Sequence, residues 1–530
     1  MLFDATVGGK RARLECGPRL TVGDLISIPA ALVLDAALDG TTLTIHTLAP
    51  SAPRALPCTA RTKRRTVTDD QWRMRSACTH LRTLKLCTVV VEMADAAAAR
   101  AFRDALLLHA YPHAAPQRRV LVVCNPMSGQ GRGLKQLEQH ALPVLRAAGC
   151  DVDVRKTQRR LHARDIAREL DPRAYDACVC VGGDGTMHEL VNGLAGRDDA
   201  ADALRLPLVP VPCGSGNGLY VSMFGTGPGF SVELACLAAI KGATKAHELC
   251  AVTQPRALYD GWPSVIYSKT GTGANGEEYI QFYAFLSQAI GLMADIDLGT
   301  EDWRFVGDMR FSVGFALGAL RNRACAADVD VLIGGGAVDL RAMSAAPRSA
   351  HVGTSHEAPL RHGAVVDAIS TTPLDLDAPA PLATWQRIDE PTSSLYAGKL
   401  PYVARSLMAF PYASSGDGAL DVMIQLASTK VAQKIGAAAA GEHGKHVFMS
   451  GISYIKAEAL RVTPRPTRGG PHYLSIDGEM VPYGPFQVEI APLCMHLCTL
   501  DDDSSSTVGP FARPAIPDSW YSPRRADLPR

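Results

Sequence analysis

The stretch Tyr175–Gly193, YDACVCVGGDGTMHELVNG, decides how the chain is read. ACVCV is an apolar run of strand length, GGDGT punctuates it, and HELVNG opens a helix-like pattern. Gly182, Gly183 and Gly185 surround a single carboxylate, Asp184. A plain turn needs one glycine or two. Three mean that something bulky approaches the backbone closely here.

Two further loops of this kind lie on either side in the sequence. The apolar run RVLVVC leads into NPMSGQGRG at 125–133, and LPLVPV leads into PCGSGNG at 212–218. Helix-like runs alternate with the strands over 116–246: LKQLEQHALPVLRAAG, in which Pro143 kinks or splits the helix, then ARDIARELD, HELVNGLAG and SVELACLAAIKG. Alternation of this sort gives a parallel sheet with both faces covered. The loops at the carboxyl ends of its strands gather on one edge, where ligands bind. Glycines there let backbone N–H groups turn inward around an anion. Three such loops point to a ligand that carries phosphates. The Walker pattern is absent, and Leu134 stands where a Rossmann loop would place its third glycine.

The rest of the chain frames this unit. Hydrophobic residues make up 47% of 530, enough for a sizeable core and about three domains. Lys and Arg total 54 against 53 Asp and Glu, so no basic excess speaks for nucleic acid. The 14 cysteines are scattered without Cys-x-x-Cys spacing, which argues against a disulfide framework or zinc and for the reducing cytoplasm. The N-terminus does not read as a signal peptide, and no apolar run is long enough to span a bilayer, so membrane contact is expected to be peripheral.

Residues 1–112 read as short strands closed by a helix that Asp95 caps, a β-rich module whose sharper reading is pleckstrin-homology-like. Its basic cluster Arg61, Lys63, Arg64 and Arg65 reads first as a solvated loop and second as a contact for anionic lipid. Residues 247–500 read as strands without regular intervening helices, a largely antiparallel sandwich. Within them, about 345–395 is rich in Ala, Pro, Ser, Thr and Asp and is expected to be a disordered insertion, as is the tail 501–530. His351, His356 and His362 lie in that poor context and are not expected to bind metal. The fold class is therefore α/β plus all-β.

The motifs together resemble a family. GGDGT with Glu189 and Asn192-Gly193 after it, NPxSGxGxG before it and PxGSGN beyond is similar to the catalytic domain of diacylglycerol and sphingosine kinases. ADIDLGTEDWRFVGDMRF at 294–311 resembles the motif of the sphingosine kinase branch, and SIDGEMV at 475–481 the family's closing motif. The resemblance covers about 118–324 and 474–497, is weak over 1–115, and is absent over 345–395 and the tail. Gly218-Leu219-Tyr220 departs from it, because small residues usually follow the Asn.

The resemblance implies an ATP-dependent lipid kinase that uses Mg2+. Asp184 is then the general base, and Arg304 and Arg310 neutralise the transferred phosphate. Asn125, Ser128, Gly129 and Gly131 cradle the nucleotide phosphates, with Gly183 and Gly185 beside them. Thr186, Ser215, Gly216 and Asn217 line the nucleotide site, and Glu189 orders the loop or the nucleotide. Asp477 and Glu479 close the site from the second domain, near nucleotide and metal, which puts the active site in the cleft between the α/β unit and the sandwich; the metal ligands themselves are not assigned. Asp297 is the amine-binding member and Asp295 the structural one.

The chemistry of the residues agrees with that assignment. Phosphoryl transfer needs positioning and charge neutralisation more than covalent chemistry. Arginine forks suit phosphate. A buried carboxylate such as Asp297 pairs with the ammonium of a sphingoid base and rejects a neutral lipid. The reading is a kinase for the primary hydroxyl of sphingosine, dihydrosphingosine or phytosphingosine. Its rivals are a diacylglycerol or ceramide kinase, which has no need of Asp297, and a catalytically silent lipid-binding relative. An NAD kinase, which also carries GGDGT, has no use for the later aspartate-arginine stretch.

Overall fold

A computed structural model describes residues 2–22, 26–50, 84–112, 114–214, 216–226, 230–262, 266–300, 313–315, 317–318, 325–333, 360–374, 384–465 and 472–500. The first unit is a seven-stranded antiparallel sheet. Its strands are β1 (Leu2–Val7), β2 (Lys10–Cys16), β3 (Arg19–Val22), β4 (Ile26–Pro29), β5 (Val33–Asp39), β6 (Thr42–Pro50) and β7 (Leu84–Met93), in the spatial order β4-β3-β2-β1-β7-β6-β5. Helix α1 (Ala96–Ala110) closes it. Asp95 caps α1 by accepting the Ala98 N–H at 2.7 Å, and Ala99, Phe102 and Leu106 bury its apolar stripe. The basic cluster at 61–65 lies outside the described residues.

A parallel core follows: β8 (Arg119–Cys124), β9 (Asp151–Lys156), β10 (Ala177–Gly182) and β11 (Leu208–Pro212), side by side as β11-β10-β8-β9. Helices α2 (Gly133–Gln136), α3 (Leu142–Ala147), α4 (His162–Glu169), α5 (Asp184–Ala195), α6 (Ala200–Ala203), α7 (Gly218–Phe224) and α8 (Val232–Lys241) connect and cover these strands. Between α2 and α3 the chain makes a π-turn over Leu137–Ala141. Pro143 has no N–H to donate into the preceding turn, so the helix widens just before it. Every residue of β10 is buried, as its unbroken apolar run requires.

The expected boundary at 246/247 falls inside a strand, β12 (Ala243–Pro255). Its neighbour β25 (Phe486–Thr499) pairs with it antiparallel and with β11 parallel. One twelve-stranded sheet therefore runs from the parallel core into the later part of the chain. It takes in β13 (Lys269–Thr272), β14 (Glu278–Ala284), β16 (Ala327–Leu332), β17 (Thr371–Pro373), β18 (Trp385–Ile388) and β22 (Ala459–Pro464). A six-stranded sheet packs across it: β15 (Ser287–Gly291), β19 (Thr392–Gly398), β20 (Leu420–Leu426), β21 (Ile452–Ala457), β23 (Leu474–Ile476) and β24 (Glu479–Val481), ordered β21-β20-β19-β15-β23-β24. Val252, Phe282, Val422, Ile476 and Val488 belong to the core between the two sheets.

Two expectations need correction. This half is not free of helices, since α9 (Leu292–Asp297) and α10 (Val431–Gly441) cover the outer face of the six-stranded sheet. The stretch 345–395 is not structureless throughout either, because it holds β17, β18 and the start of β19. Residues 361–364 dock through their backbone: Glu489 accepts the Arg361 and His362 N–H groups at 2.6 and 2.8 Å, and Arg461 Nη2 donates to Ala364 O at 2.7 Å. Main-chain hydrogen bonding of this kind leaves no trace in composition.

Candidate active site

The three glycine loops meet at the carboxyl edge of β8, β10 and β11. In the first, the Asn125 N–H donates to Val181 O at 2.9 Å, Asn125 Oδ1 accepts the Met127 N–H at 3.1 Å, and Nδ2 reaches Thr186 Oγ1 at 3.3 Å. Gly129, Gln130 and Gly131 all have positive φ, between 61° and 81°. A Cβ on Gly129 would overlap the Cys213 carbonyl of the third loop, and one on Gly183 would lie 3.3 Å from Gly214 Cα. A Cβ on Gly185 would strike the Glu479 carboxylate. The glycines therefore answer to the packing of loop on loop and on the β23–β24 hairpin, as well as to any ligand.

Asp184 opens α5. Its Oδ2 accepts the Gly218 N–H at 2.8 Å and its Oδ1 the Leu219 N–H at 3.2 Å, both from the first turn of α7. Burial pushes its pKa up to about 6 against these two hydrogen bonds, and the charges of Asp477 and Asp297 add to the rise. Asn217, at φ +49°, folds back on its own loop: Nδ2 donates to Gly214 O at 2.6 Å and Oδ1 accepts the Gly214 N–H at 2.9 Å. Glu189 accepts the Leu161 and Ala163 N–H groups at 3.0 and 3.1 Å and so fixes the start of α4. Ser215, Arg304 and Arg310 lie outside the described residues.

Asp477, expected near nucleotide and metal, borders the same cavity as Asp184 and turns its carboxylate onto protein groups. It sits at φ +52° in the tight β23–β24 turn, with Gly478 at +82°. Its oxygens accept the N–H groups of Phe285 (3.0 Å), Leu286 (2.9 Å) and Ser287 (2.9 Å), and Oδ2 also lies 2.9 Å from His188 Nδ1. The carboxylate is used up inside the protein and ties α5 to the β14–β15 junction. Glu479, two residues on, faces the GGDGT loop and lies 3.9 Å from Arg160.

Asp297 ends α9, accepts the Ser475 hydroxyl at 2.6 Å and borders a cavity of about 1050 Å³. Asp295 does not border it and lies toward Cys325 and Tyr483. At one end the cavity is lined by Asn125, Ser128, Gly129, Gly183, Asp184 and Thr186. At the other it is lined by Met293, Ile296, Tyr396, Leu407, Met423 and Ile452. A polar, glycine-walled lobe thus opens into an apolar one, with Asp184 and Asp297 on the same cavity.

Sequence reasoning missed His188 as the partner of Asp477. It also missed the task of Asn192, whose side chain pairs with both the N–H and the C=O of Tyr283 at 2.8 Å. No local signal marks either, because the partners lie 289 and 91 residues away. A polar residue in the buried face of a helix was the sole trace.

The profile of the diacylglycerol kinase catalytic domain matches residues 119–252. Sphingoid long chain base kinase 4 of Schizosaccharomyces pombe is 31% identical over 394 residues, covering 74% of this chain and 77% of that protein. Sphingoid long chain base kinase 5 of Saccharomyces cerevisiae is 27% identical over 446 residues, covering 74% and 61%. Human sphingosine kinase 1 is 35% identical over 207 residues, covering 38% and 49%. Among solved structures, a diacylglycerol kinase from Bacillus anthracis str. Sterne overlays with a TM-score of 0.42 at 16% identity, over 72% of this chain and 96% of that one. The catalytic domain makes the protein a lipid kinase. The chain belongs to the sphingoid long chain base kinase family.

Proposed function

We propose that the enzyme transfers the γ-phosphate of ATP to the primary hydroxyl of a sphingoid long-chain base. The observation that carries this reading is that Asp184 and Asp297 border one cavity, between a glycine-walled lobe and an apolar one. The apolar lobe takes the chain, Asp297 takes the ammonium, and the hydroxyl next to it faces Asp184. Asp184 accepts the hydroxyl proton, the oxygen bonds to the γ-phosphorus, the bond to the β-phosphate oxygen breaks, and ADP leaves. Asn125, Ser128, Gly129 and Gly131 surround the phosphates with Gly183, Gly185, Thr186, Gly216 and Asn217; Arg304 and Arg310 are assigned to the transferred charge by their motif alone.

Mg2+ would reach the site on the nucleotide's own phosphates. Among the described residues no group of three or more His, Cys, Asp or Glu could cage a metal ion. That fits Mg2+, which keeps its waters and takes one or two carboxylates beside the phosphates. Glu479 is the carboxylate facing the loops, and it would hold the ion there; bound Mg2+ supplies charge neutralisation.

The N-terminal unit reads as pleckstrin-homology-like. An antiparallel sheet of seven strands closed by a C-terminal helix supports this, as does the neighbour order β1-β7 that joins its two ends. Contact with a membrane surface would be peripheral: among the described residues no helix is long and apolar enough to cross a bilayer. The cytoplasm suits the cysteines, which are free thiols among the described residues.

The test is phosphate transfer from labelled ATP to sphingosine, phytosphingosine, ceramide and diacylglycerol. Transfer to the free bases, abolished by Asp184→Ala and weakened by Asp297→Asn, is the expected result. Transfer to ceramide or diacylglycerol that ignores Asp297→Asn would make the enzyme a different lipid kinase. No transfer to any lipid would make it a silent relative. Sedimentation with anionic vesicles tests the membrane contact, and an enzyme that stays in the supernatant refutes it.

A further inference from the structure

The apolar lobe runs across the outer face of the six-stranded sheet. Asp297 is bonded to Ser475 of β23, and the register carries a row from Ser475 through Ala289, Tyr396 and Met423 to Tyr454 of β21. Four strand spacings make that row about 19 Å long. This is the reach of a long alkyl chain, and its far end is covered by α10 and the turn Lys445–Phe448, which packs on β21.

That far end is not all carbon. His446 borders the cavity, is 3% exposed, and its Nε2 donates to Ala409 O at 3.2 Å. Nδ1 is buried and has no hydrogen-bond partner among the described residues; of the buried side-chain atoms in that position, it alone belongs to a residue on the cavity. Burial pushes the ring's pKa down to about 4, so the imidazole is neutral. With its one proton on Nε2, Nδ1 presents a lone pair. Gly441 of α10 lies beside it: a Cβ there would stand 3.9 Å from Nδ1 and 2.8 Å from Leu407 Cδ1, so what flanks Nδ1 on this side is backbone and an apolar side chain, neither of them a donor.

A buried acceptor without a donor is unfavourable, so the donor belongs to whatever fills the lobe. We propose that His446 is a specificity-determining residue: it makes the far end of the chain lobe polar, and takes an O–H donor from the end of the bound chain. The enzyme then accepts a long-chain amino alcohol carrying a terminal hydroxyl. It discriminates against a plain chain long enough to press its methyl group onto Nδ1. The hydroxyls near the amine do not serve, because they stay at the Asp297 end of the row. This inference rests on the sphingoid-base reading above.

The experiment measures kcat/KM of the full-length enzyme for two bases of equal chain length, one plain and one with a terminal hydroxyl. It is repeated in His446→Gln, which keeps an acceptor, and His446→Leu, which does not. The hydroxylated-to-plain ratio should fall roughly tenfold or more in the Leu variant and stay near the native value in the Gln variant. Each ratio is taken within one enzyme preparation, so partial misfolding of a variant cancels. An unchanged ratio in the Leu variant overturns the proposal and means that a retained water serves Nδ1. Failure of the native enzyme to phosphorylate either base overturns the functional reading itself, a separate outcome.

Discussion

Asp184 is pulled two ways. The Gly218 and Leu219 N–H groups favour its ionised form, while burial and the charges of Asp477 and Asp297 oppose it. With a pKa of about 6 the group is ionised at neutral pH yet basic enough to take a proton. We expect kcat/KM to rise with pH through about 6, and Asp184→Asn to lose roughly a hundredfold or more. The same shift has a thermodynamic sign. The folded state holds this proton more tightly than the unfolded chain, whose carboxyl titrates near 3.8, so the group's stabilising contribution is full below that pH and lost as pH rises to about 6. The loss is at most about 3 kcal/mol. Asp184→Asn lacks this dependence, and its amide sets a donor against the Gly218 or Leu219 N–H at a cost that does not vary with pH, so the native enzyme's melting advantage over it should be largest near pH 4 and shrink toward pH 7. A gap that is constant across that range in calorimetry would mean that the carboxylate carries no such strain. On the proposed reading, Asp297 binds the other end of the head group. Losing one charged hydrogen bond to an ammonium should raise KM for the base roughly tenfold to a hundredfold in Asp297→Asn, with the KM for ATP unmoved.

At the scale of elements, the clearest case is Lys241, the last residue of α8. Its Nζ donates to the carbonyls of Ala31 (3.1 Å), Val33 and Ala110 (2.9 Å), and lies 4.3 Å from the centre of the Tyr111 ring. Three donors meet three acceptors, and all three acceptors belong to the N-terminal unit. Burial pushes the lysine's pKa down to about 7, which the three carbonyls oppose by favouring the ammonium. Lys241→Met strands those carbonyls and should destabilise the contact by about 3 kcal/mol. Limited proteolysis within 111–118 should then release the N-terminal unit from an otherwise folded kinase; equal resistance in both proteins would show that apolar packing alone holds it. Nothing in KGATKAHEL announces this clasp. What the sequence did disclose were features written locally: the glycine loops, the run of β10, the Asp95 cap and the split at Pro143. Helix α10 escaped because KIGAAAAG has neither strong periodicity nor a clear polar face. The partners of Asp477 stayed hidden for a related reason. Its motif shows a carboxylate in a turn, but the three amides it binds come from a strand junction nearly two hundred positions earlier.

At the scale of the molecule, α5, the β14–β15 junction and the β23–β24 hairpin are held in one geometry, and Asp477 is where they meet. The junction is gripped from its other side as well: His247 Nε2 lies 3.0 Å from Phe285 O, and His247 Nδ1 lies 2.8 Å from Ser415 Oγ. The neighbouring Glu248 accepts the Gly416 and Gly418 N–H groups and pairs with the buried Lys399 at 2.7 Å. These contacts close the loop whose Val403 and Leu407 border the cavity. Asp477→Asn keeps the size of the side chain but turns one acceptor into a donor facing N–H groups, at a cost of about 3 kcal/mol or more. Because His188 and Asp184 share α5, loosening His188 moves Asp184, the proposed base. We expect kcat to fall roughly a hundredfold, since small displacements of reacting groups are that expensive. We also expect the Phe285, Leu286 and Ser287 amides to lose hydrogen-exchange protection by a comparable factor. The two effects have to appear together. If kcat falls while those three amides keep their native protection, Asp477 acts directly on nucleotide or metal, as its motif implies, and not by holding these elements together.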